Sequence, residues 1–167
     1  MRRLGAVLAG GGSRRFGSDK AAALWNGRSL IDHVTDRLGA QVDHLVLIGR
    51  EGGIPDRPAP DLGPLGGLCA ALAYAAAHGF DDVLTAACDV PTLPDDLASL
   101  LAPGPACLDG QPLIGLWPAT LAPELDAYLA STPDLSMRAW IRRCGARLVS
   151  GPELPNINTP DDLAALQ

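Results

Sequence analysis

A glycine-rich segment with basic residues follows the first apolar run of the chain. The run Leu4–Ala9 is continuously apolar, which predicts a strand buried on both faces of a parallel sheet. It leads directly into GGGSRRFGSDK, in which Arg15 and Lys20 follow three consecutive glycines. Glycine lets a backbone approach a ligand closely, so that its N–H groups can converge on anionic oxygens. The segment therefore predicts a loop that binds phosphate groups.

Two well-known phosphate-binding patterns do not match this loop. The dinucleotide pattern GxGxxG requires a glycine where Arg15 stands. The Walker pattern GxxxxGK[ST] requires a lysine directly after Gly17, where the chain has Ser18. The alternative interpretation is a solvated turn with stray arginines. The position after a buried strand, together with two arginines and a lysine, argues for the phosphate loop instead.

Composition and charge exclude several classes of protein. The chain has 167 residues, 47% hydrophobic and 19% charged, which indicates a folded domain, and we expect one domain over residues 1–167. A net charge of −6 argues against nucleic acid or an anionic membrane as partner, because both are themselves anionic. The apolar start is too short for a signal peptide, and four cysteines without CxxC spacing indicate reduced thiols. We expect a cytoplasmic location.

Apolar runs alternate with amphipathic or alanine-rich segments along the chain. This alternation predicts an α/β fold, a Rossmann-like three-layer α/β/α sandwich with a mainly parallel sheet. The predicted strands are Leu4–Ala9, His44–Gly49, Val83–Ala87, Cys107-Leu108, Pro112–Trp117 and Arg147–Ser150. The predicted helices are Leu30–Leu38, Leu65–His78, Pro94–Leu101, Pro123–Ala130, Ser136–Cys144 and a short last helix capped by Thr159. Asn26-Gly27 predicts a tight turn before the first of these helices, and Gly79 a left-handed helix terminator.

The glycine loop resembles the opening of one enzyme family. The pattern LAGG-x-x-x-R-[aromatic or Met]-G-x-x-K is similar to that of nucleotidyltransferases of the molybdenum-cofactor guanylyltransferase type, relatives of the sugar-phosphate nucleotidyltransferases. The matching residues are Leu8, Ala9, Gly10, Gly11, Arg15, Phe16, Gly17 and Lys20. Four later segments also resemble family motifs, in the same order along nearly the whole chain: Asp61–Gly67, Cys88–Pro91, Gln111–Trp117 and Asn156–Leu163. The resemblance implies the fold of the nucleotide-diphospho-sugar transferases.

The chain departs from the family pattern at two positions. Gly49 stands where the family often has an asparagine that helps to hold the nucleotide, and the loop Gly49–Leu62 is short. Gln111 stands where a histidine is common. These differences concern substrate contacts more than the class of reaction.

The resemblance implies transfer of GMP from GTP to the terminal phosphate of molybdopterin carrying molybdenum, with Mg²⁺ as cofactor. Asp89 follows a core strand and is the expected Mg²⁺ ligand, because this hard cation prefers carboxylate and phosphate oxygens. Arg15 is expected to clamp the outer phosphates and Lys20 to lie near the α-phosphate, so these three residues form the expected catalytic set. The expected GTP-binding residues are Leu8, Ala9, Gly10, Gly11, Gly12, Arg15, Lys20, Asp61 and Asp89.

The acceptor side is expected to involve two asparagines. Asn156 and Asn158 carry amides suited to contact a pterin or a phosphate, although turn formation and helix capping before Pro160 explain part of this segment. Asp61 is expected to accept hydrogen bonds from guanine or ribose, with capping of its loop as the alternative. We further expect handover of the product to molybdoenzyme apoproteins or chaperones, because the product is oxygen-labile.

Two alternatives to the guanylyl function stay open. A related enzyme would use CTP with the same pterin, or a sugar phosphate as acceptor; the motif LAGG, rather than LAAG, favours GTP. A protein of another class would bind a nucleotide or a partner without catalysis. The joint presence of Arg15, Lys20 and Asp89 argues against that class, because a docking module needs none of them.

Overall fold

The apolar runs form the strands of a six-stranded sheet in the computed structural model, which describes residues 1–9, 23–50 and 52–166. The described strands are β1 (Arg3–Leu8), β2 (Leu24–Trp25), β3 (Arg28–Ser29), β4 (His44–Ile48), β5 (Asp82–Ala87), β6 (Ala106–Leu108), β7 (Gln111–Pro118) and β8 (Arg147–Val149). The sheet has the order β4-β1-β5-β7-β6-β8, and β7 alone among these strands runs against the others. The predicted α/β fold with a mainly parallel sheet is confirmed.

Helices cover both faces of this sheet. They are α1 (Leu30–Gly39), α2 (Pro64–Ala77), α3 (Leu97–Leu101), α4 (Ala122–Ser131), α5 (Met137–Cys144) and α6 (Pro160–Ala165). The buried residues of α2, α4 and α5 form one hydrophobic cluster, and those of α1 and α3 form a second. The two clusters are the two interlayer cores of the predicted three-layer sandwich. In the described part of the chain, no helix combines the length and the apolar character that a membrane span requires.

Local signals in the sequence explain most of the boundaries. The turn Asn26-Gly27 has positive φ at both residues and joins β2 to β3, which are antiparallel and only two residues long. Gly79, with a φ of 76°, follows α2 as the predicted left-handed terminator. Ser136 caps α5, and Thr159 forms a capping box with Asp162 at the start of α6.

The predicted start of α3 at Pro94 is wrong, because the helix begins at Leu97. The side chain of Gln41, which follows α1, replaces a local cap. Its Oε1 accepts from the Ala98 N–H at 2.9 Å, and its Nε2 donates to the Pro94 carbonyl at 2.9 Å. This contact between distant segments fixes the chain at Pro94, residues 95–96 form a turn, and the helix begins three residues later than predicted.

The central strand β5 parts from β7 before β5 ends. All six β5 residues are buried, and the strand pairs with β1 along its whole length. Pairing with β7 runs only from Asp82 opposite Pro118 to Thr85 opposite Gly115. Beyond Thr85 the first residues of β7 diverge from β5, and this divergence is called the fork.

A single hydroxyl group satisfies the backbone at the fork. Thr85 Oγ1 donates to the Leu113 carbonyl at 2.6 Å, and it accepts from the Gly115 N–H at 3.2 Å and from Trp117 Nε1 at 3.0 Å. Trp117 is fully buried, and its ring reaches the hydroxyl by lying against Gly115. A Cβ atom at position 115 would lie 2.7 Å from that ring, so the packing requires glycine.

We predict that Thr85→Val lowers the free energy of unfolding by about 2 kcal/mol, because two buried donors, the Trp117 indole N–H and the Gly115 N–H, lose this acceptor. Thr85→Ser keeps the hydroxyl and should cost about 1 kcal/mol or less. Urea unfolding followed by far-UV circular dichroism measures both values. A valine variant as stable as the serine variant would contradict this role of the hydroxyl.

Candidate active site

A cleft of about 400 Å³ opens where β1 and β4 end beside the start of α2. Its lining residues come from those strand ends, from the loop before α2, from the first turns of α2 and from β7. They are Leu8, Ile48, Asp56, Asp61, Gly63, Pro64, Gly67 and Leu113. The carboxyl ends of parallel strands are where open α/β sheets bind ligands. We call this space the first cleft.

The amino end of α2 forms one wall of the first cleft. The helix begins at Pro64 after Gly63, whose φ of 66° turns the chain into the helix. A helix of this length carries a partial positive charge at its amino end, which favours anionic groups there. Gly66 lets the preceding loop lie close, because a Cβ atom at this position would be 3.2 Å from Leu62 Cβ and 3.3 Å from Asp56 Oδ2.

Two carboxylates occupy this end of the helix. Asp61 lies exposed at the edge of the cleft, with a φ of 63° that few residues other than glycine adopt. Asp56 is half-buried, and the N–H of Arg57 beside it donates to the Gly66 carbonyl at 3.1 Å. Burial raises the pKa of Asp56, and the charge of Asp61 raises it further. The structure thus adds Asp56 to the predicted Asp61.

Asp56 was missed because it lies in the loop Gly49–Leu62, which shows no periodicity. Its one available signal was an acidic side chain among prolines, a few residues before the helix. The loop folds back on β4, where the Gly49 N–H donates to the Ile54 carbonyl at 2.7 Å and the Ile54 N–H to the Leu47 carbonyl at 2.8 Å. Such non-local contacts place Asp56, and the residue pattern alone does not encode them.

A second cleft of about 150 Å³ lies next to the first, on the other side of Leu113, which lines both. It opens at the fork, where β7 has left β5. Its walls come from the end of β5, from the β6–β7 hairpin and from the C-terminal segment. The lining residues are Ala87, Asp89, Val90, Gly110, Gln111, Pro112, Leu113, Ile114 and Asn156.

Asp89 and Asn156, which the sequence assigned to the metal and to the acceptor, therefore lie in the same cleft. Asp89 follows β5 and is half-buried. Its backbone carbonyl accepts from the Ile157 N–H at 2.8 Å, which attaches the C-terminal segment to the end of the central strand. Asn156 is exposed at the edge of this cleft.

The two predicted asparagines have different surroundings. Asn158 is not among the lining residues of either cleft. Its backbone N–H donates to Asp162 Oδ2 at 2.9 Å, within the group of bonds that starts α6. The capping alternative accounts for the backbone of Asn158, whereas Asn156 lies where a substrate could meet it.

The rest of the glycine loop falls outside the described part of the chain. This concerns Gly10, Gly11, Gly12, Arg15 and Lys20. Leu8 lines the first cleft, and the Ala9 N–H donates to the Ile48 carbonyl at 2.9 Å. The described chain thus enters the predicted phosphate loop beside the first cleft.

The cysteines and the acidic side chains of the described ranges form no metal site. No group of three His, Cys, Asp or Glu side chains lies close enough there to hold a metal ion. Burial raises the pKa of both Cys69 and Cys107 to about 11, and it also raises the pKa of Cys144. All four cysteines are unpaired, and three of them, Cys69, Cys88 and Cys107, are buried.

A three-layer α/β fold with two adjoining clefts at the carboxyl ends of its strands can hold two ligands side by side. The model of the MobA-like NTP transferase domain matches residues 5–149. The chain belongs to this family of nucleotidyltransferases, which confirms the resemblance found in its motifs.

Relatives agree over nearly the whole chain. A protein named molybdenum cofactor guanylyltransferase from Rhizobium leguminosarum bv. trifolii is 38% identical, over 96% of this chain and 89% of the relative. A protein of the same name from Cereibacter sphaeroides is 39% identical, over 98% and 95%. The crystal structure of molybdopterin-guanine dinucleotide biosynthesis protein A from Archaeoglobus fulgidus has the same fold, with a TM-score of 0.72 at 22% identity over 97% of this chain and 95% of that one.

We predict that Asp56→Asn raises Tm at pH 7 by about 1–3 °C. The raised pKa means that folding disfavours the ionised carboxylate, so the wild type loses stability as the pH rises through that pKa. The advantage of the variant should therefore shrink as the pH falls from 7 to 4. Differential scanning calorimetry across this range measures it.

Asp61→Asn serves as the control for this prediction. It removes the neighbouring charge but not the burial of Asp56, which is the larger cause of the shift. Its gain in Tm should be smaller than that of Asp56→Asn. Equal Tm values for the wild type and Asp56→Asn at pH 7 would show that the loop does not disfavour the charge.

Proposed function

We propose that this protein transfers GMP from GTP to the terminal phosphate of molybdopterin carrying molybdenum, with release of pyrophosphate. The observation that carries the proposal is the pair of adjoining clefts, one beside the phosphate-loop strand and one beside Asp89. The names of the relatives support the choice of substrates. In this arrangement the nucleotide occupies the first cleft and the acceptor enters the second.

The reaction explains why this protein needs no nucleophilic side chain. The attacking group is the acceptor phosphate, which displaces pyrophosphate at the α-phosphorus of GTP. The protein has to align two anions and offset the charge that accumulates between them. Adjoining clefts separated by one leucine meet the first requirement, since they bring the two substrates together at Leu113.

We propose that Asp89, Arg15 and Lys20 offset the negative charge that accumulates between the two anions. Asp89 is a half-buried carboxylate at the carboxyl end of β5, which suits Mg²⁺, an ion that commonly takes one or two protein carboxylates with phosphate and water. The bound ion would offset negative charge on the phosphates. Arg15 would hold the outer phosphates with its guanidinium group, and Lys20 would lie near the α-phosphate.

Asp56 and Asp61 favour guanine over cytosine. Guanine offers two adjacent donors, N1–H and the 2-amino group, which one carboxylate can accept together. Cytosine has a single amino donor beside an acceptor, and a carboxylate repels that acceptor. Asp56 is the better candidate for this contact, because its pKa shows partial removal from water and a shielded hydrogen bond to a charged group is stronger.

A related enzyme that uses CTP, with the same pterin or with a sugar phosphate as acceptor, is the second candidate. It rests on the departure from the family pattern at Gly49. A non-catalytic nucleotide-binding protein is the candidate from another class. Pyrophosphate release that requires both molybdopterin and Mg²⁺ distinguishes a catalyst from such a binder.

The decisive experiment compares GTP, CTP, ATP and UTP, each with Mg²⁺, by thermal shift. We expect GTP to give the largest rise in Tm, because ligand binding to the native state stabilises it by mass action. Asp56→Asn should weaken GTP binding about tenfold and reduce the preference over CTP. Asp61→Asn, the matched variant at the exposed edge, should change GTP binding less. A larger rise with CTP or UTP in the wild type would refute the guanylyl assignment.

We predict that Asp89→Asn lowers kcat at least about a hundredfold while the protein stays folded. The change keeps the shape of the side chain and removes the charge that would hold Mg²⁺. Activity is measured as pyrophosphate release over a range of Mg²⁺ concentrations, with circular dichroism as the control for folding. Near-normal Mg²⁺-dependent turnover in the variant would contradict the metal role.

The proposed reaction also suggests where the product goes. Its oxygen lability favours direct handover to a molybdoenzyme apoprotein or a chaperone, and we place this handover in the cytoplasm. We also propose that residues 1–167 form one nucleotidyltransferase domain.

A further inference from the structure

We infer that Gln111 is a positioning residue that fixes the orientation of the Asn156 side-chain amide, so that its NH₂ group is offered to the phosphate of the acceptor. This inference rests on the proposed function, since it concerns the acceptor side of the same site. The two residues line the second cleft together with Asp89, and their side chains are hydrogen-bonded to each other.

The direction of each hydrogen bond follows from one backbone carbonyl. Leu154 O can only accept, so the end of Gln111 that lies 2.7 Å from it is Nε2. The same Nε2 has a second proton, which it donates to Asn156. The Asn156 atom that receives this proton is therefore Oδ1, and Nδ2 is turned away from Gln111.

This orientation matters because the ligand of the second cleft is an anion. The two N–H groups of Nδ2 can donate to a phosphate oxygen, whereas Oδ1 would repel it. With the amide reversed, both Asn156 and Asp89 would present oxygen atoms to the incoming acceptor. Gln111 therefore sets the polarity of the wall that faces Asp89.

The backbone holds the pair in place on both sides. Gln111 is the first residue of β7, directly after Gly110, whose φ of 84° closes the hairpin. On the other side, Ile157 is fully buried and its N–H donates to the Asp89 carbonyl at 2.8 Å. Asn156 therefore lies between two fixed points, Leu154 bound to Gln111 and Ile157 bound to Asp89, and its amide orientation is the remaining freedom.

The test measures kcat and both KM values for Gln111→Ala, Gln111→Glu, Gln111→His and Asn156→Ala in the full chain, with anaerobic molybdopterin and GTP as substrates. Gln111→Ala should raise KM for molybdopterin about tenfold and leave KM for GTP within about twofold. Gln111→Glu should raise KM for molybdopterin further, because a carboxylate only accepts hydrogen bonds and draws Asn156 Nδ2 toward itself. Gln111→His restores a donor and should recover most of the loss.

A double-mutant cycle separates positioning from a merely structural role. If Gln111 acts through Asn156, Gln111→Ala should add little to the KM effect of Asn156→Ala. Independent effects of the two changes, or an equal rise in KM for GTP, would overturn the inference.

A measurement without substrates separates this inference from the proposed function. In ¹⁵N–¹H spectra, the Asn156 side-chain NH₂ signals should shift in Gln111→Glu, where they gain an acceptor, and shift little in Gln111→Ala. Unchanged signals in Gln111→Glu would overturn the positioning role whatever the enzyme assay gives. If the variants show these shifts and the wild-type protein nevertheless releases no pyrophosphate with molybdopterin, the proposed function is refuted and the positioning role stands.

Discussion

The hydrogen bonds of the Thr85 hydroxyl hold the site together, because they let β7 leave β5 without exposing unsatisfied backbone groups. Where the regular hydrogen bonds between the strands stop, the hydroxyl donates to the Leu113 carbonyl and accepts from the Gly115 N–H. It also accepts from the indole N–H of Trp117. The space left by the departing strand becomes the second cleft. Leu113, held by this hydroxyl, becomes the partition between the two clefts. A buried polar contact in the core thus determines how far apart the two clefts lie.

The acidic side chains that line the clefts mean that an anionic ligand needs cations beside it. The described lining residues include Asp56, Asp61 and Asp89 but no lysine or arginine, in a chain of net charge −6. A triphosphate between carboxylates is unfavourable unless cations offset the repulsion. The proposed reaction meets this need with Mg²⁺ and with the basic side chains of the glycine loop. In that proposed reaction the carboxylates select the ligands: Asp56 selects the base and Asp89 binds the metal.

Some parts of the structure are encoded by neighbouring residues, and others depend on contacts between distant segments. Continuous apolar runs and capping residues predicted the core strands and most helices, because β5, α5 and α6 are encoded by neighbouring residues. The start of α3 was wrong because its cap, Gln41, comes from a distant segment. Asp89 and Asn156 carried recognisable motifs and do share a cleft. Asp56 and the role of Gln111 escaped, since both depend on which backbone carbonyl or charge lies nearby in space, and Gln111 was visible only as a departure from the family pattern.

The attachment of Ile157 to Asp89 has a consequence for the order of folding. Strands β4, β1 and β5 with α1 and α2 are built from the first half of the chain, and every lining residue of the first cleft except Leu113 comes from that half. The wall that carries Asn156 comes from the C-terminal part of the chain and contacts the residue after β5 through Ile157. Closing this long stretch of chain costs conformational entropy, and contacts so distant in sequence form slowly. During synthesis most of the first cleft can therefore assemble while the second cleft is still incomplete. Under the proposed function, a newly made chain would form most of its nucleotide site before its acceptor site.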